Sequence, residues 1–365
     1  MPTMTLFHKL KLFSNFIFAK RFYEIYNMLW VYPLWWNRRM AAFLLNRFLP
    51  KLGIDLFPPF LEIEPTTVCD MRCRICEHTY WKEHSKNMSF EQFKKIFDDF
   101  GKPKWLGLTG IGSSYLNKDY HKMLEYAKSK GTIVEVFDHF AHFENDKKIK
   151  ELIEIGPDFQ FVSIYGASKE TSDFICRGSD FDKVIHNIKT FVKLKKQMKK
   201  RFPILNFHFI ITKQSKGELF KFIDLISNLD TEIGEVLITP LLHGFKEVKS
   251  YEVKIDDKYK EEIMNYARKK RIAITFNWSS KLKKQPIKNC KEYIMPFIFV
   301  TGHVTPCCSQ NEANSREWQK KMSLGNALEK PFREIWYSPR YKKLRQMIRK
   351  NKCPKECVLC PAYET

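Results

Sequence analysis

The chain has 365 residues, room for one large domain and a small one, and its 44% hydrophobic and 15% aromatic content is ample for a core. Its 63 Lys and Arg against 41 Asp and Glu leave a net charge of +22, which favours anionic partners such as phospholipid headgroups, nucleic acid or phosphorylated substrates. No apolar run is long enough to span a bilayer, Lys9, Lys11, Lys20 and Arg21 break up any signal peptide, and ten cysteines then point to metal ligation in a reducing, cytoplasmic setting rather than to a secreted disulfide framework.

Residues 1–58 form a first segment unlike the rest. Phe7, Leu10, Phe13 and Ile17 recur at helical spacing with basic residues between them, and Leu29-Trp-Val-Tyr-Pro-Leu-Trp-Trp36 is followed by Arg38 and Arg39. A basic, aromatic helix of this kind suits peripheral contact with the inner membrane face. It equally suits a helical cap across the bottom of a barrel, and the two readings are compatible.

Residues 59–276 alternate strand and helix. Strands are predicted at Leu61–Glu64, Lys104–Thr109, Thr132–Phe137, Phe159–Tyr165, Ile204–Ile211 and Glu235–Thr239. Helical patterns at 89–100, 119–130, 146–154, 180–199 and 216–228 separate them, and Ser89-Phe-Glu-Gln92 is a capping-box pattern at the start of the first. Such alternation predicts an α/β fold with parallel strands inside and helices outside, a partial (β/α)6 barrel. Residues 257–276 add one further helix and strand. Chemistry in such barrels sits at the C-terminal ends of the strands.

The loop after the first strand reads Cys69-Asp-Met-Arg-Cys73-Arg-Ile-Cys76. Three thiolates on one short loop can hold three irons of a 4Fe–4S cluster and leave the fourth iron open. The plainer alternative is a structural zinc ion with His78 as fourth ligand. The Cys-x3-Cys-x2-Cys spacing resembles the signature of the radical S-adenosylmethionine (radical SAM) superfamily. That resemblance implies an open iron that chelates SAM and cleaves it reductively to methionine and a 5′-deoxyadenosyl radical.

The same resemblance assigns a SAM pocket. The family's Gly-Gly-Glu-Pro-like motif at the end of the second strand corresponds to Thr109-Gly110-Ile111-Gly112-Ser113-Ser114. Gly110 and Gly112 keep the glycine character, but Ser113 stands where the family has a glutamate for the SAM amino group. Asp138, at the end of the third strand, is the candidate replacement carboxylate. Ser163 resembles a ribose-contacting position. Arg177, in Cys176-Arg177-Gly178, resembles an arginine that faces the SAM carboxylate, with an ordinary helix-start arginine as the alternative. Cys176 itself reads as a packed thiol.

Residues 277–365 carry Cys290, then Phe299-Val-Thr-Gly302-His-Val-Thr-Pro-Cys307-Cys308, then Cys353-x3-Cys357-x2-Cys360. This resembles the SPASM/Twitch extension of radical SAM enzymes, which implies an auxiliary 4Fe–4S cluster. Cys290, Cys307, Cys357 and Cys360 fit the shorter, single-cluster form, with Cys353 and then Cys308 as substitute ligands. A zinc ribbon from Cys307, Cys308, Cys357 and Cys360 is the alternative.

The expected function is a radical SAM enzyme that abstracts a hydrogen atom and oxidises or otherwise modifies a lipid-linked, carbohydrate or other small-molecule substrate. An electron donor such as flavodoxin or ferredoxin is the expected partner. Maturation of a ribosomal peptide, modification of RNA and a non-catalytic Fe–S or zinc scaffold are the alternatives, although nucleic acid is not an expected partner. Tyr165, His139, His208 and His243 lie at or near strands without an assigned role.

Overall fold

A computed structural model describes residues 6–36, 38–241, 246–276, 283–284, 290–308, 316–358 and 363–364. Its strands are β1 (Phe60–Ile63), β2 (Arg72–Cys73), β3 (Trp105–Leu108), β4 (Ile133–Asp138), β5 (Phe159–Ile164), β6 (Cys176–Arg177), β7 (Ile204–Ile210), β8 (Ile233–Thr239), β9 (Ile274–Phe276), β10 (Lys283–Lys284), β11 (Phe297–Ile298), β12 (Val304–Thr305) and β13 (Tyr363–Glu364). Nine of them form one sheet in the order β12-β11-β1-β3-β4-β5-β7-β8-β9. From β1 to β9 every neighbour is parallel, so the chain folds as the expected partial α/β barrel.

Helices Phe90–Phe100, Tyr120–Ser129, Asp146–Ile155, Phe181–Gln197, Leu219–Ser227 and Asp257–Lys269 connect these strands and form the outer layer. The capping box forms at Ser89 and Gln92, satisfying two backbone donors at that helix start. Alternation along each strand decides which residues meet the helices. Val134, Val136, Val162, Ile164, Phe207, Phe209, Val236 and Ile238 are buried in the core between sheet and helices. The intervening Glu135, Phe137, Ser163, His208, Glu235 and Leu237 are only half buried and line the concave side.

The C-terminal residues extend this sheet. β11 lies parallel on the outer edge of β1, pairing Glu62 with Phe297 and Ile63 with Ile298, and β12 turns back antiparallel beyond it. Tyr293, Ile294, Phe332, Trp336, Tyr341 and Leu344 share the hydrophobic core of β1 and β3.

At the opposite end, helices α1 (Leu6–Phe18), α2 (Phe22–Trp36) and α3 (Arg38–Phe43) supply the N-terminal helical segment. Arg21 bonds Asp158 and the Gly156 carbonyl, Asn27 donates to the Gly131 carbonyl at 2.9 Å, and Asn15 donates to Glu232 at 3.1 Å. Phe16 is fully buried, its ring 4.7 Å from that of Phe202. All these partners immediately precede β4, β5, β7 or β8, so the helices lie across the N-terminal ends of the strands. Among the described residues no helix is long and apolar enough to cross a membrane.

Candidate active site

The chain leaves β1 at the C-terminal mouth of the barrel and enters the cysteine loop. Short-range bonds shape this loop. The Val68 amide donates to Thr66 Oγ1 at 2.9 Å, the Cys76 amide to the Cys73 carbonyl at 3.1 Å, and Thr79 Oγ1 to the same carbonyl at 2.6 Å. β2 then pairs antiparallel with β6, setting Cys73 opposite Cys176 and Arg72 opposite Arg177. The sulfurs of Cys73 and Cys176 are 3.4 Å apart. Arg177 is exposed and donates through Nε to the Arg72 carbonyl at 3.0 Å, so this arginine clamps the loop.

Burial pushes the Cys69 thiol up to about 12, and the neighbouring charges of Asp70 and Asp138 act in the same direction. Cys73 is raised by its contact with Cys176 and by burial, and Cys76 by burial. A thiolate at any of these positions therefore calls for a bound cation. The sulfurs of one tetrahedral zinc site stand about 4 Å apart, as Zn–S bonds of ~2.3 Å require. Among the described residues, Asp70, His139 and His142 are the one group of three or more His, Cys, Asp or Glu side chains whose ligand atoms all lie within 4.8 Å of one another. The three loop thiols do not form so tight a group, and soft thiolates at a wider spacing suit an iron–sulfur cube. His78, the fourth ligand that zinc would use, holds the Thr67 carbonyl through Nε2 at 2.9 Å.

Gly110 and Gly112 allow close packing. A Cβ on Gly112 would lie 2.6 Å from the Thr66 carbonyl oxygen and 2.7 Å from that of Val68. One on Gly110 would lie 2.4 Å from Glu64 Cγ. The glycine turn therefore presses against the cysteine loop, and the Ser113 amide donates to the Val68 carbonyl at 2.8 Å. Ser113 Oγ donates to Asp138 Oδ2 at 3.0 Å, with both side chains buried, and Asp138 Oδ1 accepts from the Phe140 amide at 2.7 Å. The pair places a buried carboxylate near Cys69.

Ser163 lies at the same level on β5, opposite His208 of β7. Burial pushes His208 down to about 4, so its imidazole is neutral near pH 7, and Nε2 lies 2.9 Å from Thr239 Oγ1. The rings of Phe137 and Phe161 stack at 4.3 Å on the concave side. His142 Nδ1 lies 3.4 Å from Asp70 Oδ2, just outside the cysteine loop. His243 lies outside the described residues.

Two relationships are absent from the sequence reading. Glu64, fully buried just beyond β1, accepts from Arg316 Nη2 at 2.7 Å and from the Val300 amide at 3.1 Å, and the Ile111 amide approaches it at 3.4 Å. The Arg316 guanidinium is sandwiched between Phe299 (4.0 Å) and Trp81 (4.7 Å). The other is the Cys73–Cys176 contact. A charged residue closing an apolar strand was the one available signal for Glu64.

The C-terminal cysteines gather around aromatic side chains. Cys290 is buried beside Tyr293, and Cys307 and Cys357 both approach Tyr341 closely enough to raise its hydroxyl pKa, whose main cause is burial. Cys353 packs on the same core as Cys290 and Cys357. Cys360 lies outside the described residues.

Residues 63–226 match the radical SAM superfamily model, and residues 290–361 match the SPASM iron–sulfur cluster-binding domain. These domains imply 4Fe–4S clusters together with SAM. The chain is 26% identical over 319 residues to the tungsten-containing aldehyde ferredoxin oxidoreductase cofactor-modifying protein of Pyrococcus furiosus, covering 82% of this chain and 86% of that protein. Among solved structures it resembles Streptococcus suis SuiB bound to SAM, with TM-score 0.64 and 17% identity over 87% of this chain and 78% of SuiB. It also resembles anSMEcpe with bound SAM, with TM-score 0.55 and 15% identity over 82% of this chain and 87% of that one.

Proposed function

We propose, for a chain that belongs to the radical SAM superfamily and ends in a SPASM domain, that it removes a hydrogen atom from a small, polar, cofactor-like molecule. Cys69, Cys73 and Cys76 hold the SAM-binding 4Fe–4S cluster, and Cys290, Cys307, Cys357 and Cys360 hold one auxiliary cluster. The observation that carries this reading is the convergence of the three loop thiols with the Ser113–Asp138 pair at the barrel mouth. When bound, these groups supply a 5′-deoxyadenosyl radical at the mouth and an acceptor for the electron left on the oxidised substrate.

The chain's own residues bind and orient. Asp138 would accept from the SAM ammonium, a charge-assisted bond that a lone serine could not replace, and Ser113 holds that carboxylate through its own hydrogen bond. Ser163 would offer a hydroxyl to the ribose, and Arg177, which holds the Arg72 carbonyl of the cysteine loop, would meet the SAM carboxylate. The stacked Phe137–Phe161 pair forms an apolar floor that limits water at the reacting carbon. His208, Glu235 and Thr275 offer hydrogen bonds to a polar substrate on the concave side.

The cofactor-modifying relative supports a small-molecule substrate. A water-borne or carbohydrate-like molecule suits the site better than the lipid-linked one expected from the sequence, because the mouth and the exposed apolar helices occupy opposite ends of the barrel. A flavodoxin or ferredoxin in a reducing cytoplasm would supply the electron that starts the reaction.

The test uses anaerobically reconstituted protein with dithionite and SAM. Release of 5′-deoxyadenosine is expected, and joint replacement of Cys69, Cys73 and Cys76 by Ala should remove about four irons and abolish that release. Wild-type iron content and cleavage in the triple variant would overturn the reading.

A further inference from the structure

We propose that the barrel's closed end docks on an anionic phospholipid surface through α1, α2 and the loops beneath them. This inference rests on the N-terminal helices and is independent of the radical chemistry. Thirteen of the sixteen large hydrophobic side chains that stand exposed among the described residues fall between Leu10 and Ile54. Along α2 they recur as Phe22, Tyr23, Tyr26, Leu29 and Tyr32, one stripe at helical spacing, while Glu24, Val31 and Leu34 are buried against the protein. Phe22 is 67% and Tyr23 75% exposed, values that belong to a covered face rather than to scattered surface residues.

Charge identifies what covers it. Beside the stripe, Phe22, Tyr23, Tyr26, Lys102, Lys104 and Lys130 line a groove of ≈ 640 Å³. Among the described residues none of these three lysines has a carboxylate within ion-pair distance, whereas Lys94 and Lys95 pair with Asp98 and Asp99. Lys104 is held instead over the Tyr26 and Trp30 rings, at 4.8 and 5.2 Å, with its ammonium at the groove. Aromatic rings with an apolar body and a polar tip, flanked by lysines that have no carboxylate within ion-pair distance, match the glycerol–phosphate layer of an anionic bilayer. A second copy of this +22 chain would bring like charges together on the same face.

The test is flotation of the full-length, cluster-loaded protein with two kinds of vesicle, pure phosphatidylcholine and an equal mixture with phosphatidylglycerol. The mixed vesicles should retain the protein at least about tenfold better, and added salt should weaken that retention. Phe22→Ser with Leu29→Ser should abolish flotation, and Lys102→Ala with Lys130→Ala should reduce binding to the level seen on phosphatidylcholine, both with an unchanged melting curve. If either variant melts early, the comparison of the two vesicles with the wild-type chain decides alone. Equal recovery on both vesicles, no flotation at all, or a dimer that Phe22→Ser dissolves would overturn the proposal. 5′-Deoxyadenosine release in vesicle-free buffer should be the same in the variants and the wild type, which separates this result from the fate of the radical reading.

Discussion

Arg316 donates to Glu64 at 2.7 Å in an ion pair with almost no solvent exposure, linking a C-terminal helix to the end of the first barrel strand. The two residues are 252 positions apart in the chain. Because the same carboxylate also accepts from the Val300 amide and lies near that of Ile111, it ties the SPASM domain to the glycine turn beside the cysteine loop.

Removing one partner of a buried pair leaves an uncompensated charge, which costs about 3–5 kcal/mol. Arg316→Met should therefore lower unfolding stability by that order in urea titrations and loosen the glycine turn. Adding Glu64→Gln should recover much of the loss, since no buried charge remains. A single variant as stable as wild type would remove the pair from this role.

Asp138→Ala should weaken SAM binding by about tenfold to a hundredfold, the worth of one or two charge-assisted hydrogen bonds. Isothermal titration on cluster-loaded protein reads this directly. Ser113→Glu should also weaken binding, although it restores the family's residue, because it sets a second carboxylate against Asp138. Unchanged affinity in Asp138→Ala would assign the ammonium to another group.

The carboxyl of Glu135 is pushed up to about 7 by burial, with Trp105 donating a hydrogen bond that opposes the shift and the Glu235 charge adding to it. A carboxyl raised above its unfolded value holds its proton in the folded state, so its contribution to stability is complete below about pH 4.5 and fades as pH rises through 7. Chemical unfolding of the wild type should thus lose up to about 3 kcal/mol between pH 5 and 8 relative to Glu135→Gln. Parallel pH profiles for the two proteins would contradict this.

Cys176 touches Cys73 but comes from another segment, and the proposed cluster takes only the three loop thiols. Cys176→Ala should keep the full iron content of the N-terminal cluster and the yield of 5′-deoxyadenosine, at a stability cost of about 1 kcal/mol for a small buried cavity. Cys73→Ala should lose the cluster. Iron analysis and electron paramagnetic resonance distinguish the two outcomes.

Local pattern made much of this molecule legible. The apolar alternation of Phe159–Ile164 and Ile204–Ile210, the Ser89 cap and the cysteine spacing are each written within a few adjacent residues. What stayed hidden depends on residues far apart in sequence. The 297–305 hairpin is marked by its glycine, but nothing near Phe297 says that it will pair with Glu62. Likewise nothing near Arg316 in the sequence says that Glu64, Phe299 and Trp81 will surround it. The cap formed by α1 and α2 was foreseeable as one of two uses of an amphipathic segment, and its inward half is now visible in Phe16 and Arg21.

The pairing of β1 with β11 also bears on synthesis at the ribosome. The strand that covers the outer edge of β1 is translated long after β1 itself. For most of translation that edge presents unpaired amides and carbonyls, an invitation to intermolecular strand addition. Slow codons or truncation before Phe297 should therefore yield inclusion bodies, and recombinant yield should depend on whether the last quarter of the chain arrives promptly.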